Sequence, residues 1–210
     1  MKDQKSQSRR FILFVLGLLI CSLGDSMNFK ASIGVGPYEA TQLTGFYITG
    51  IKVGTLAIIS NMILLAGQIL IRKKATIPLL LQIPLCILQG YLLNVIIYIL
   101  FGRLTLNYPM KVLFLLAGIL LAGIGVGLMV YADVCVFPLE GFCKVLAEAK
   151  GWHFARVRQG ADIIFVTSCL LISFLFRYPF AIREGTVIAA LFFAPVMNRM
   201  IRIMEHRMQH

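Results

Sequence analysis

Long apolar runs dominate this sequence and limit what it can fold into. A helix of about 18 or more mostly apolar residues is long enough to cross a hydrocarbon layer of roughly 30 Å. Six runs approach or exceed that length, at residues 11–27, 53–71, 77–101, 112–131, 163–176 (with a start as early as 157) and 186–200. The sequence therefore predicts an all-α polytopic membrane protein with six transmembrane helices.

The composition agrees with this assignment. Hydrophobic residues make up 59% of the chain and charged residues only 14%, and the mean hydropathy is +0.87. Soluble domains carry roughly a quarter charged residues and could not bury so much apolar surface. We expect residues 1–210 to form a single membrane domain whose first partner is the lipid bilayer.

The net charge of +11 is explained by topology rather than by nucleic-acid binding, because the basic residues lie between the apolar runs. With the amino terminus inside, residues 1–10, 72–74, 144–158 and 199–207 hold 14 of the 20 lysines and arginines on the cytoplasmic side. Positive residues favour that side of a membrane. We therefore expect basic cytoplasmic tails at both ends of the chain, which requires an even number of spans, and no nucleic-acid partner.

The sequence also repeats itself. At an offset of 101 residues Pro37 aligns with Pro138 and Glu39 with Glu140. The same offset aligns Gly17 with Gly118, Gly24 with Gly125, Ala31 with Ala132, Val35 with Val136, Gly50 with Gly151, Asn61 with Asp162 and Pro78 with Pro179. The predicted repeats are residues 11–101 and 112–202. Since each contains three spans, the second repeat is inverted relative to the first, as in many secondary transporters.

Each repeat carries a Pro-x-Glu sequence after its first span. Proline fits the first helical turn, and a glutamate two residues later faces the unpaired amides there. Short helices are therefore predicted from about Pro37 to Tyr47 and from Pro138 towards Ala149. Two interpretations stay open. Either Glu39 and Glu140 only stabilise these helix starts, or the loops re-enter the membrane and bring both carboxylates to a shared cavity that binds a cation, a proton or a hydroxyl-rich substrate.

Polar residues within the predicted spans provide the other candidates for a binding or coupling site. Asn61 and Asp162 recur at the same depth in the two repeats, and Asn94 lies in the third span. Interhelical hydrogen bonding is the structural alternative for the amides, and Arg158, one turn before Asp162, could neutralise its charge. Asp25, near the end of the first span, is expected to anchor that span at the membrane surface.

The sequence has no motif that indicates catalysis, phosphate binding or metal binding. It contains no nucleophile elbow, no phosphate-binding loop and no metal-ligand spacing. We therefore expect no catalytic residues, no cofactor and no metal site, and we expect the protein not to be an enzyme.

The stretch Gly34–Glu39 (GVGPYE), followed by Thr49-Gly50 and Val53-Gly54, resembles the YczE/YyaS/YitT group of bacterial membrane proteins. That group is expected to have a Gly-x-Gly-Pro-aromatic-acid motif, more often with Trp and Asp where this chain has Tyr38 and Glu39. The second half matches more loosely. The resemblance implies a bacterial plasma-membrane protein and brings no established catalytic residues with it.

These features favour a small-solute transporter or permease in which Glu39, Glu140, Asn61 and Asp162 line a central site, with coupling to protons. One alternative is an accessory or scaffold protein that assists another membrane complex. A second alternative is a lipid-handling enzyme or flippase. The expected partner is an unknown small solute. A second copy of the chain or another membrane protein is the further option for a partner.

Overall fold

The computed structural model describes residues 2–74 and 76–208, without the side chains of residues 2–6, 78 and 207–208. We predict that both termini are cytoplasmic, but the chain ends at residues 1 and 209–210 lie outside the described residues. The side chain of Pro78 lies outside them as well. Within the described ranges the helices are α1 (Lys2–Ala31), α2 (Pro37–Thr49), α3 (Val53–Arg72), α4 (Ile77–Leu80), α5 (Gln82–Val95), a π-helix (Ile96–Leu100), α6 (Tyr108–Ala132), α7 (Pro138–Lys150), α8 (Phe154–Phe176) and α9 (Glu184–Met208).

Six of the described helices are long and apolar enough to cross a membrane. They run over Gln7–Ala31, Val53–Arg72, Gln82–Leu100, Tyr108–Ala132, Phe154–Phe176 and Glu184–His206. The all-α fold and the six membrane-length helices are thus confirmed. The inverted orientation of the two halves stays a prediction.

The third span differs from its predicted bounds of 77–101. Helix α4 ends at Leu80 and α5 begins at Gln82, because Pro84 has no N–H to donate to the carbonyl of Leu80. The span also ends in five residues of π-helix, Ile96–Leu100, which no sequence pattern predicts. The predicted span is therefore a short helix, a break and a longer helix.

Helices α1 and α6 form the centre of the bundle, and their backbones meet at glycines. A Cβ atom added to Gly17 would lie 2.7 Å from the Gly125 carbonyl oxygen, and one added to Gly24 would lie 2.6 Å from the Gly118 oxygen. In a membrane, such close backbone approach provides the van der Waals contact that holds helices together. Each contact pairs a glycine of one repeat with a glycine of the other.

The remaining helices pack around this pair. Helix α5 and the π-helix lie against α1, and α9 lies against α6. Each short helix packs against a long helix of the other half, α2 against α8 and α7 against α3, as well as against the helix that follows it in sequence. The two halves are therefore interlocked.

The short helices correspond closely under the repeat offset. Helices α2 and α7 both have 13 residues, and each begins at the aligned proline. Each ends at a left-handed glycine, Gly50 with φ 70° and Gly151 with φ 67°. Only a residue without a Cβ adopts this conformation at little cost. The helices predicted from Pro37 and Pro138 are thus present, and each extends slightly beyond its predicted end.

Substitution of Gly24 should weaken the central pair. In Gly24→Ala the new methyl group would collide with the α6 backbone at Gly118 and Ala122, so we expect a loss of about 1–3 kcal/mol of stability, typical of overpacking. Gly160→Ala is the matched control, because a Cβ there meets nothing within 4 Å and alanine favours helix by about 1 kcal/mol. Thermal unfolding of purified protein in detergent measures both. A Gly24→Ala protein as stable as Gly160→Ala would contradict this account of the pair.

Candidate functional site

The site is built on the amino-terminal ends of α2 and α7. Glu39 and Glu140 each occupy the third position of their helix, and each carboxylate interacts with its own backbone N–H. A Cβ at Gly36 would collide with the Glu39 carboxylate, so the glycine leaves room for the side chain to fold back. Both glutamates thus lie at the positive end of a helix dipole, which favours a negative charge.

The starts of the two short helices meet inside the bundle. The hydroxyl of Tyr38 donates a hydrogen bond of 2.8 Å to Oδ1 of Asn61, the ninth residue of the 20-residue α3. Tyr38 also packs against Phe165 of α8, with ring centroids 5.4 Å apart. Leu139, from the start of α7, belongs to the same apolar cluster as Tyr38, Leu64 and Phe165. The start of α2 therefore lies beside the middle of α3 and α8, and the start of α7 lies beside the second half of α3.

A buried amide fixes the start of α7. Gln68 of α3 is almost fully buried, and its Nε2 donates to the Pro138 carbonyl oxygen at 3.1 Å and to Oε1 of Gln82 at 3.0 Å. A carbonyl oxygen can accept a second hydrogen bond beside its helical one, and a buried amide such as that of Gln68 would be costly to leave without partners. The hydrogen bonds of Gln68 thus attach the start of α7 to the first half of the chain.

Arg158 lies among three carboxylates. Its guanidinium forms an ion pair with Asp162, one turn later on α8. Its Nε atom lies 3.9 Å from Oε1 of Glu140, and it attracts Glu39 electrostatically. The two glutamates also repel one another. One arginine therefore interacts with acids from both halves, namely Glu39, Glu140 and Asp162. Their role as a binding or coupling site stays a prediction.

Asp25 is a further member of this acidic cluster, and the expectation that it anchors α1 at the membrane surface is wrong. Its carboxylate accepts hydrogen bonds from Gln89 and from the Cys21 thiol, at 3.4 Å, and it interacts with Glu39. Asp25 lies on the same side of α1 as the buried residues Ser22 and Phe29. That helical spacing is the signal by which the sequence could have placed it in the interior.

Asn94 does not join the cluster. Its Oδ1 accepts the Gly54 N–H at 3.0 Å, and its Nδ2 donates to Oγ1 of Thr55 at 3.1 Å. Both partners belong to the start of α3, where Gly54 and Gly90 let α3 and α5 pack backbone to backbone. Asn94 therefore stabilises a helix contact, whereas Asn61 reaches the site through Tyr38.

The charges of the cluster do not balance. Asp25, Glu39, Glu140 and Asp162 provide four carboxyl groups, and Arg158 provides one positive charge. Glu39 and Glu140 are partly buried among the packed helices, with the Glu140 side chain 42% exposed. This partial burial raises the pKa of both glutamates, and the nearby Arg158 opposes the rise. Both glutamates consequently take up protons more readily than a glutamate in water. The arrangement can exchange protons or attract a cationic group.

Within the described residues no group of three or more His, Cys, Asp or Glu side chains is arranged to hold a metal ion.

The raised pKa values predict how stability depends on pH. The folded state binds protons at Glu39 and Glu140 more tightly than the unfolded state. This stabilisation is complete at pH below the ordinary glutamate pKa of 4.5. It is lost as the pH rises through the raised pKa values of the folded state. We expect the unfolding midpoint in detergent to fall across that range, and to fall less in the double variant Glu39→Gln/Glu140→Gln. Glu148→Gln, on the exposed part of α7, should keep the native slope. Equal slopes in all three proteins would contradict the assignment.

Comparisons with known proteins agree with the resemblance seen in the sequence. Residues 8–202 match a family of unknown function, DUF6198. The chain is 26% identical over 156 residues to the uncharacterized membrane protein YczE of Bacillus subtilis (strain 168), covering 73% of this chain and 70% of YczE. It is 22% identical over 198 residues to the uncharacterized protein YyaS of the same organism, covering 93% of this chain and 94% of YyaS. No solved structure matches. The chain is a multi-pass membrane protein that belongs to the DUF6198 family.

Proposed function

We propose that the protein is a small-solute transporter of the bacterial plasma membrane, and that its acidic cluster binds the solute and couples its movement to protons. The observation that carries this proposal is that Arg158 lies 3.9 Å from Glu140 and also interacts electrostatically with Glu39, so that one glutamate of each repeat senses the same positive charge. Sites of this kind, between two repeats and at interrupted helices near the middle of the membrane, are typical of secondary transporters.

The helix contacts support an inverted repeat. The Gly17–Gly125 contact becomes the Gly118–Gly24 contact when each residue is replaced by its counterpart 101 positions away. The packing of α2 on α8 likewise becomes the packing of α7 on α3. Contacts that exchange in this way are those of two units related by a twofold axis. If this axis lies in the membrane plane, the two halves have opposite orientations, and each forms the part of the transport path that opens to one side of the membrane.

Proton coupling follows from the acids. A glutamate whose pKa is raised by burial holds its proton to a higher pH than a glutamate in water, and a change of surroundings between two conformations can release or capture that proton. Arg158 remains charged throughout and gives the two glutamates a common partner. Protonation of either glutamate weakens its attraction to Arg158 and leaves the Arg158 guanidinium free to contact a solute.

Uptake into proteoliposomes tests this function. With a library of metabolites and an inward proton gradient, the native protein should accumulate at least one solute. Glu39→Gln and Glu140→Gln should each lower the rate about tenfold or more and reduce its dependence on the gradient, because glutamine cannot exchange a proton. Glu148→Gln changes the same residue type on the same helix but outside the cluster, and it should transport at the native rate. Uptake that is unchanged in both cluster variants would remove the carboxylates from the mechanism.

The proposed orientation has its own test. We place both termini in the cytoplasm, from the excess of basic residues on that side. Alkaline phosphatase fused after His210 should be inactive and green fluorescent protein fused there should fluoresce, whereas insertion of the phosphatase at Asn107, between the third and fourth spans, should give an active enzyme. The opposite pattern would reverse the orientation.

A further inference from the structure

A pocket lies outside the acidic cluster, at the end of the bundle where α1 ends. Its volume is about 430 Å³. It is an open pocket bordered by the end of α1, one face of α2, the start of α3, the π-helix, the segment that leads into α6 and the first turn of α6. The lining residues are Phe29, Lys30, Ser32, Leu43, Phe46, Tyr47, Val53, Ile97, Tyr98, Leu104, Thr105, Leu106 and Lys111.

Most of the lining is apolar and fixed in place. Phe46 packs with Tyr47 and with Tyr98, at centroid distances of 5.9 and 6.4 Å. The hydroxyl of Tyr98 accepts the Val53 N–H at 3.1 Å, and Lys52 lies over the Tyr98 ring at 5.6 Å. Preformed apolar pockets with a few polar groups at their edge are typical small-molecule sites.

The charge of the pocket has one sign. Lys30 and Lys111 are both half-buried, the lining contains no acidic residue, and neither lysine forms an ion pair with the part of the chain that the structure describes. An anion bound in the pocket would provide the counter-charge that both lysines lack.

Helix stability explains only one of these lysines. Lys30 lies in the last turn of α1, where a positive charge is favourable. Lys111 lies at the start of α6, where the helix dipole opposes a positive charge and where the first turn contains no acid. Its position is therefore better explained by a ligand than by the helix.

The opposite end of the bundle provides a contrast. A pocket of about 360 Å³ there is lined by Gln7, Arg10, Phe11, Ala132, Asp133 and Val134. Arg10 is the repeat counterpart of Lys111, and Asp133 is the counterpart of Ser32. That pocket thus contains an acid among its described lining residues, whereas the lining of the first pocket contains none.

We propose that the first pocket binds an anionic amphiphile, with its acidic head between Lys30 and Lys111 and its apolar part against Phe29, Leu43 and Phe46. The ligand is either a bilayer phospholipid with a net negative head group or a soluble amphiphile such as a fatty acid. The two share the same chemistry, an anion joined to a hydrocarbon chain.

Thermal unfolding of the full chain in a maltoside detergent tests this site, with phosphatidylglycerol, phosphatidylcholine, laurate and inorganic phosphate as probes. We expect phosphatidylglycerol, laurate or both to raise the unfolding midpoint, and phosphatidylcholine and inorganic phosphate to have little effect. Stabilisation by phosphatidylglycerol alone assigns a bilayer lipid, and stabilisation by laurate alone assigns a soluble amphiphile. Equal stabilisation by phosphatidylcholine, or by inorganic phosphate at the same concentration, would overturn the proposal.

Variants locate the binding. Lys30→Gln/Lys111→Gln should raise the concentration needed for half-maximal stabilisation about tenfold or more, and Thr105→Trp, which occupies the pocket from its exposed rim, should do the same with both lysines present. Arg10→Gln in the opposite pocket should behave as the native protein. Glu39→Gln should also bind normally, so the result is independent of the transport proposal. Undiminished stabilisation in both pocket variants would show that the amphiphile binds elsewhere.

Discussion

The glycine contact between α1 and α6 is the constraint on which the rest of the structure depends. In lipid there is no hydrophobic force to drive one helix against another, so helices associate where small residues let their backbones meet. Gly17, Gly24, Gly118 and Gly125 provide two such contacts. Helix α5 then packs on α1 and α9 packs on α6. The pair thus fixes the distance between the halves and the position of Asp25, which α1 carries to the acidic cluster.

The short helices complete the interior because each crosses into the other half. Placing carboxylates there is costly, and three features offset the cost. The helix starts favour the charge of Glu39 and Glu140, Arg158 interacts with both, and protonation removes whatever charge is left unpaired. The same features that make the acids tolerable also make them responsive to protons and solutes, which links the stability of the bundle to the function proposed for it.

The sequence predicted much of this arrangement, and the limits of that prediction have physical causes. Apolar runs and the Pro-x-Glu repeat predicted the six long helices and the two short helices, because length, proline and glycine act locally. The i, i+4 spacing of Arg158 and Asp162 offered their ion pair as one of two interpretations. The roles of Asp25 and Asn94 depend on which face of a helix meets which neighbour. The contact of Tyr38 with Asn61 joins residues 23 positions apart, and no local pattern specifies it.

The two halves are not equivalent, and the difference bears on how such a protein could work. In the first half Gly54, Gly90 and Asn94 hold α3 tightly against α5, whereas their counterparts are Ala155, Leu191 and Pro195. Within the described residues α9 packs mainly on α6, without the matching contact to α8. Arg158 on α8 likewise has no basic counterpart in the first half, because the aligned residue on α3 is Ala57. In a transport cycle of rocking repeats, α8 would therefore be the helix least restrained by its own half, and it carries the charge on which both glutamates converge.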